Sequence, residues 1–391
     1  MRILFLSHRV PYPLDKGDRI RSYNIIKYLS KFHSISLMSI SHEAIHPKSR
    51  EALRDYCESL EFFKINPLFG KIKSCFHLFA QSPLTLPAFY SRAFRDSVTS
   101  KLRDGRFDLV YIYSSSMAQY VLGAKNIPKL MDFIDVDSEK WLNYAARASQ
   151  PMKSIYSTEG VRLRSFEKEV ASICDQNIFA AEREARLFQR IAPTASCAVV
   201  QNGVDLVSSA RASCRENKLV FVGAMDYYPN IDAMRYFSHE ILPLVRKSVP
   251  EAALCIVGRN PTRAIKELSR VNNVIVTGCV DQIAPYLRDA TVSVAPLRIA
   301  RGIQNKVLEA MAHGVPLVTT TAALEGIEAM PGRDVLVADE PTAFAEKIVA
   351  VLRDLNLRSN LSKNALALVR QKYSWDTRLK ILEESIAQVV S

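Results

Sequence analysis

The sequence predicts an α/β protein: two Rossmann-like, doubly wound halves facing a cleft, with a terminal helix. Three observations lead there. The chain has 391 residues, too many for one typical core and suited to two domains. Short apolar runs alternate with segments of helical spacing, as buried parallel strands and their crossover helices do. This alternation breaks after the turn signal Asn202-Gly203 and then restarts.

Taken in order, Arg2–Ser7 reads as a buried strand and Pro11–Arg19 as a loop, with a helix over Ile20–Leu29. Ile35–Ile40, Asp108–Tyr113 and Lys129–Ile134 are further strands, separated by helix-compatible segments. Phe62–Tyr90 mixes Phe, Leu and Ile with Lys64, Lys71 and Lys73. It reads either as an irregular insertion packed on the core or as a patch for an anionic membrane surface. Ser154–Cys174 is a long charged helix, and Asn177–Ala180 and Ala198–Gln201 close the first half. Asp205–Asn217 is a polar linker. The second half has strands at Leu219–Val222, Ala253–Val257, Val274–Val276, Thr291–Ala295, Leu317–Thr319 and Val335–Val337, with a helix from about Ile231. Tyr373–Val390 is a final helix with Trp375 near its start.

Composition narrows the function. Hydrophobic content of 48% is that of a globular chain. The net charge is +12, and residues 1–200 hold 29 Lys+Arg against 20 Asp+Glu, so the excess lies in the first half. Such an excess suits nucleic acid, an anionic membrane face or a phosphorylated substrate. No aromatic-interleaved basic stripe or nucleic-acid motif supports the first, so no nucleic-acid partner is expected. Seven scattered Cys without CxxC or a Cys/His cluster read as reduced thiols of a cytosolic protein. MRILFLSHRVPYP is not a signal peptide, because its apolar run breaks at His8 and Arg9. No run approaches the ~18 apolar residues of a membrane span. The expected location is cytoplasmic, with peripheral contact at the inner face of the plasma membrane.

One stretch concentrates chemistry. Pro296–Pro316 follows a strand with a loop holding Arg298, Arg301 and Gly302, then a helix from Gln304 or Asn305 to about His313, stopped by Gly314 and Pro316. Lys306, Glu309, Ala310 and His313 share one helical face, and Val307, Leu308 and Met311 the other. A helix N-terminus at the carboxyl end of a strand, with cations beside it, suits a phosphate. A carboxylate one turn further in suits sugar hydroxyls. The same pattern also fits an ordinary strand–helix unit with a solvated basic loop. Only 13 residues are Gly, below the usual ~7%, yet Gly223, Gly258 and Gly278 each follow a strand closely. That placement points to close backbone approach to a ligand or to simple turn geometry.

Together these residues resemble a family. Asn202–Asp205 (NGVD), Gly223, Val257–Gly258, Gly278–Val280 (GCV), Leu308–Val318 (LEAMAHGVPLV) and Tyr373–Trp375 (YSW) look like the retaining glycosyltransferases of family 4. LSHRVPYPLDKGDRIRSYN, Asp132–Trp141, Phe221–Asn230 and Arg298–Ala312 further resemble the sugar transferase of bacterial exosortase (PEP-CTERM) exopolysaccharide loci. The resemblance implies a GT-B fold with an acceptor-binding domain over 1–205, joined by the helix 374–391, and a nucleotide-sugar-binding domain over 206–373. It implies transfer from a nucleotide-diphosphate-sugar to a glycan or polyprenyl-linked acceptor, with retention, no metal and no separate cofactor.

The implied catalytic residues are Asp135, Arg301 and Glu309. The implied donor-binding residues are Gly17, Arg19, Gly223, Gly258, Arg259, Val280, Arg301, Gly302, Lys306 and Glu309. Asp135 reads as facing the acceptor hydroxyl or the reacting sugar, or as a carboxylate at a helix N-terminus. Asp135-Val136-Asp137 also resembles the metal-binding DxD of the other glycosyltransferase fold, but that motif serves a single-domain architecture. A non-catalytic transferase-like scaffold and a GT-B sugar-nucleotide epimerase are the competing readings.

The chain departs from the family twice. The family's usual pair of glutamates would fall at positions 301 and 309, and position 301 is Arg. The loop after Gly223 reads Ala224-Met225-Asp226-Tyr227-Tyr228-Pro229-Asn230, without the usual Arg and Lys. One account joins both: Arg301 supplies the diphosphate's positive partner from a different loop, with a planar fork that lysine matches less well. Arg301→Ala, Arg301→Lys and Arg301→Glu should then all lose turnover, by ~10²-fold or ~3 kcal/mol for a lost transition-state contact. Glutamate should be worst, and wild-type activity in Arg301→Glu would refute the relocation.

Overall fold

The computed structural model describes residues 1–65, 82–206, 216–300 and 303–390. The chain divides into two compact units, Met1–Asn202 with Arg378–Ser391, and Gly203–Thr377.

The first unit is built on seven parallel strands: β1 (Arg2–Ser7), β2 (Ser34–Ser41), β3 (Ser59–Lys64), β4 (Leu109–Tyr113), β5 (Lys129–Ile134), β6 (Gln176–Phe179) and β7 (Cys197–Val199). Their order is β3-β2-β1-β4-β5-β6-β7. The chain winds outward from β1 on one side and from β4 on the other, so β1 and β4 form the switch point where such sheets leave a crevice. Ile3, Leu4, Phe5 and Leu6 are all fully buried, as a strand covered on both faces requires.

Strand β3 was hidden in the sequence because Glu61 and Lys64 break its apolar run at a sheet edge. Phe62 and Phe63 of the expected patch belong to it, and Phe63 meets Phe94 edge-on at 5.1 Å. Lys71 and Lys73 lie outside the described residues. On the far side of that gap, Glu159 accepts hydrogen bonds from the Leu84 and Thr85 N–H groups and the Thr85 hydroxyl, and Tyr90 stacks on Tyr120. Both described flanks of the segment thus pack on the unit's core.

The second unit has six parallel strands: β8 (Lys218–Val222), β9 (Ala253–Val257), β10 (Val274–Val276), β11 (Val292–Ala295), β12 (Leu317–Thr319) and β13 (Leu336–Val337). The order β10-β9-β8-β11-β12-β13 puts the switch point between β8 and β11. Gly203 runs against the backbone of Trp375, where a Cβ would lie 2.5 Å from Trp375 N. The Val204 N–H donates to the Tyr373 carbonyl at 2.8 Å, pairing the two connections. The last helix, Trp375–Val390, passes into the first unit from Arg378 onward. There Glu383 meets His33 Nε2 at 3.0 Å.

Two buried polar clusters hold the first unit. Arg21, 1% exposed, sits on the helix Gly17–Leu29 and donates from Nε and Nη2 to Asp132, which is 0% exposed. Its Nη1 donates to the Val200 carbonyl at 2.7 Å and to Asn202 Oδ1 at 2.8 Å. The Tyr111 hydroxyl also donates to Asp132, at 2.8 Å. Burial alone would lower the Arg21 pKa, and the Asp132 charge reverses that, so the guanidinium stays charged.

The second cluster is Glu167, fully buried on the helix Met152–Ile173, accepting from the N–H and hydroxyl of Ser138 on the helix Asp137–Arg147. Burial pushes the Glu167 carboxyl from 4.5 up to about 8 against those hydrogen bonds. The folded state therefore holds a proton between about pH 4.5 and 8 that the unfolded chain has released. Stability should fall as pH rises through that window. Glu167→Gln should flatten the fall, measured as urea midpoints at pH 5 and pH 8. A wild-type midpoint that rises with pH while that of Glu167→Gln stays level would show the carboxyl to be ionised in the fold.

Candidate active site

In the second unit, the loop after β11 leads from the switch point into the helix Asn305–Ala312. Val307, Leu308 and Met311 anchor the helix in the core, as their spacing predicts. Ala310 is buried as well, so the polar face narrows to Lys306, Glu309 and His313, all half-buried. Burial lowers the Lys306 pKa to about 8, opposed by the neighbouring Glu309. Burial raises that of Glu309, with Lys306 acting against it and Asp205 adding to it. The two charges support each other in a poorly hydrated place. Lys306 Nζ donates to Gln304 Oε1 at 3.2 Å and lies 5.9 Å from the Phe221 ring centroid. Burial also lowers the His313 pKa, and His313 Nδ1 donates to the Glu309 carbonyl at 2.8 Å.

Arg301 and Gly302 lie outside the described residues. Arg298 is committed within the unit: it grips Asp232 through Nε at 3.0 Å and Nη2 at 2.6 Å and lies 4.5 Å over the Tyr236 ring.

Gly223 and Gly258 follow β8 and β9 and face each other. A Cβ on Gly258 would stand 1.7 Å from the Gly223 carbonyl oxygen, and one on Gly223 would stand 2.7 Å from Asn230 Nδ2. Asn230 in turn donates to the Ala224 carbonyl at 2.9 Å. The close approach at this edge is thus between two chain segments. Arg259 is exposed, and its carbonyl accepts the Met225 N–H at 2.9 Å. Val280 is half-buried against the unit's core. Where the loop after β8 lacks cations, it presents Tyr227 and Tyr228, 57% and 66% exposed.

In the first unit, the carboxyl ends of β1, β4 and β5 gather a second group of polar residues. His8 Nε2 lies 3.3 Å from Asp18 Oδ2, and Arg9 Nη1 donates to the same oxygen at 2.7 Å. The Tyr113 hydroxyl donates to the Asp18 carbonyl at 2.7 Å, and His8 stacks on Tyr113. Burial opposes ionisation of Asp18, but His8, Arg9 and the Arg19 N–H overcome it and hold the carboxyl well below its usual range. Ser115 donates to Asp137 at 3.4 Å. Burial raises the Asp137 pKa, partly offset by Lys140 and His8.

Asp135 opens to solvent at the end of β5, yet its surroundings desolvate the carboxyl, and Glu184 and Asp137 raise its pKa further. Gly17 opens the helix Gly17–Leu29 with free space where a Cβ would sit. Arg19 is buried between two carboxylates, donating to Asp15 at 2.8 Å and Glu43 at 2.9 Å. His8 stood in the sequence at the end of a strand, but nothing linked it to Asp18 before the fold joined them.

Asp135 and the His8–Asp18 group belong to the first unit, and Lys306 and Glu309 to the second. The described residues hold no group of three or more His, Cys, Asp or Glu placed to bind a metal. None of their helices is long and apolar enough to cross a membrane.

Residues 216–354 match the family described as glycosyl transferases group 1. The chain is 21% identical, over 95% of its length and 96% of the relative's, to an uncharacterized 44.6 kDa protein in the cps region of Klebsiella pneumoniae. TarM of S. aureus has a similar fold, with a TM-score of 0.67 at 11% identity over 100% of this chain and 99% of that one. Sucrose-phosphate synthase from Thermosynechococcus elongatus gives 0.65 at 16% identity over 99% of each chain. HepE of Anabaena, solved with UDP-glucose, gives 0.63 at 16% over 99% and 100%. The match to the group 1 glycosyl transferases is confined to residues 216–354, and the whole chain has the fold of the GT-B glycosyltransferases.

Proposed function

We propose that this chain transfers a sugar from a nucleotide-diphosphate-sugar to a hydroxyl of a glycan or polyprenyl-linked acceptor. Transfer proceeds with retention, without metal and without a further cofactor, in the assembly of a bacterial exopolysaccharide. The second unit holds the donor and the first holds the acceptor. The observation that carries this reading is the helix Asn305–Ala312 at the β8/β11 switch point, with half-buried Lys306 and Glu309 on one face, inside the matched domain. HepE, solved with UDP-glucose, and the relative from a cps region support the donor class and the setting. The resemblance of its motifs to the sugar transferase of exosortase-associated loci supports the same setting.

As the anomeric C–O bond breaks, negative charge grows on the leaving diphosphate. Lys306 and the helix N-terminus stabilise that charge, and their effect is large where water is scarce. Glu309 accepts hydrogen bonds from donor hydroxyls, and Asp135 faces the incoming acceptor hydroxyl. A thermal-shift panel of UDP-, GDP- and ADP-sugars identifies the donor; at 100 times its Kd a ligand adds about 2.7 kcal/mol. With that donor, Glu309→Gln should melt near wild type and lose most transfer, and EDTA should leave wild-type transfer intact. Donor binding without turnover would favour a scaffold. Isomerised free donor would favour an epimerase, and loss of activity in EDTA restored by Mg²⁺ or Mn²⁺ would end the metal-free reading.

A lipid-linked acceptor is met at a bilayer, so peripheral membrane contact through Phe62–Tyr90 is part of the proposal. Sedimentation with anionic liposomes should be salt-sensitive and weakened when Lys64, Lys71 and Lys73 are neutralised. Equal recovery in the supernatant with and without those charges would remove this part.

A further inference from the structure

Strand β5 ends in an unusual turn. The Asp135 N–H donates back to the Phe133 carbonyl at 2.8 Å, closing a three-residue turn with Ile134 at its apex. Ile134 has φ +69°. A γ-turn with positive φ is rare and strained, and a β-branched residue there is an outlier. Such a conformation persists only where its surroundings over-determine it.

Here they do so three times. The Ile134 N–H donates to Asp132 Oδ1 at 3.1 Å, and the Ile134 carbonyl accepts the Ala180 N–H at 2.8 Å. The register between β5 and β6 also shifts between Asp132 and Ile134. The carboxylate that takes the Ile134 N–H is the one Arg21 and Tyr111 hold in the core. The chain of contacts therefore runs from a fully buried ion pair, through one hydrogen bond, to the backbone that carries Asp135. Asp135 is the first residue past the turn, and its side chain opens to solvent.

We infer that Arg21 and Asp132 are positioning residues, which act through the strained turn at Ile134 to hold the Asp135 carboxylate in one orientation. The inference rests on the proposed role of Asp135 toward the acceptor hydroxyl. Glycine at position 134 makes the same turn without a side-chain penalty and frees it to relax. Asparagine at position 132 weakens the acceptor that holds the Ile134 N–H and leaves Arg21 without its charge partner.

Two readouts on the full chain separate this inference from the reading beneath it. The first is the titration of the Asp135 carboxyl carbon by NMR, assigned by its loss in Asp135→Asn. Besides Arg21, the groups acting on that carboxyl are Glu184, Asp137 and Lys140. The second is UDP release from UDP-glucose. Ile134→Gly should melt at or near the wild-type temperature, yet shift the Asp135 titration toward an ordinary aspartate and release UDP at least about 10-fold more slowly. Asp132→Asn should shift the titration the same way while melting lower. An Asp135 titration identical in wild type, Ile134→Gly and Asp132→Asn would overturn the positioning role, whatever the activity. Full UDP release by Asp135→Asn would instead overturn the role of Asp135 itself.

Discussion

Every strand pairing within the two sheets is parallel, and this constraint governs where chemistry can collect. Parallel strands need crossover connections, so all strand carboxyl ends of a sheet emerge on one edge, beside the helices that follow. Where the winding direction reverses, neighbouring loops part and leave a crevice. In the first unit that edge receives His8 after β1, Ser115 after β4 and Asp135 and Asp137 after β5. In the second it receives Gly223 and the Tyr227–Tyr228 pair after β8, and Lys306 and Glu309 after β11. The residues are far apart in sequence because topology, not local spacing, brings them together.

Charge at these edges is not what composition alone suggests. The chain is strongly basic, and its first half carries most of the excess. Yet Arg9, Arg19, Arg21 and Arg298 each grip a carboxylate within their own unit. A guanidinium held in this way fixes a loop or a core, and its positive field is partly cancelled at the atoms it touches. Lys306 differs: the acid acting on it, Glu309, is itself desolvated and shifted toward its neutral form. Such mutual perturbation in a partly buried place is the arrangement expected where a charged ligand is to complete the electrostatics.

The fold was largely legible in the sequence, because buried parallel strands leave continuous apolar runs that survive without tertiary context. β1, β9 and β11 lie where Arg2–Ser7, Ala253–Val257 and Thr291–Ala295 read as strands. β3 escaped because an edge strand needs apolar residues on one face only, and its charges look like loop. The helix Asn305–Ala312 was legible from period and punctuation, but the burial of Ala310 was not, since alanine fits either face. Arg19 stands out in the sequence by its charge, and nothing local signals that Glu43 takes it. The Arg21–Asp132 pair spans 111 positions and left no local trace at all.

The glycines show how the same signal divides between packing and function. Gly258 is required because the Gly223 carbonyl fills the space of its missing side chain, which is a demand of the chain on itself. Ile134 is the opposite case. Its backbone adopts a conformation that glycine would take at lower cost, and the sequence retains a β-branched residue there. Stability alone would favour replacing it, whereas a fixed direction for the next residue would favour keeping a stiff side chain and a clamped backbone. The clamp is the buried carboxylate of Asp132, and deep burial is what makes it effective. Away from water, its hydrogen bonds to Arg21, Tyr111 and the Ile134 N–H meet no solvent competition, so loosening one leaves a polar group unsatisfied. The cost of burying that charge is thus tied to the geometry of the sheet edge where the first unit gathers its polar side chains.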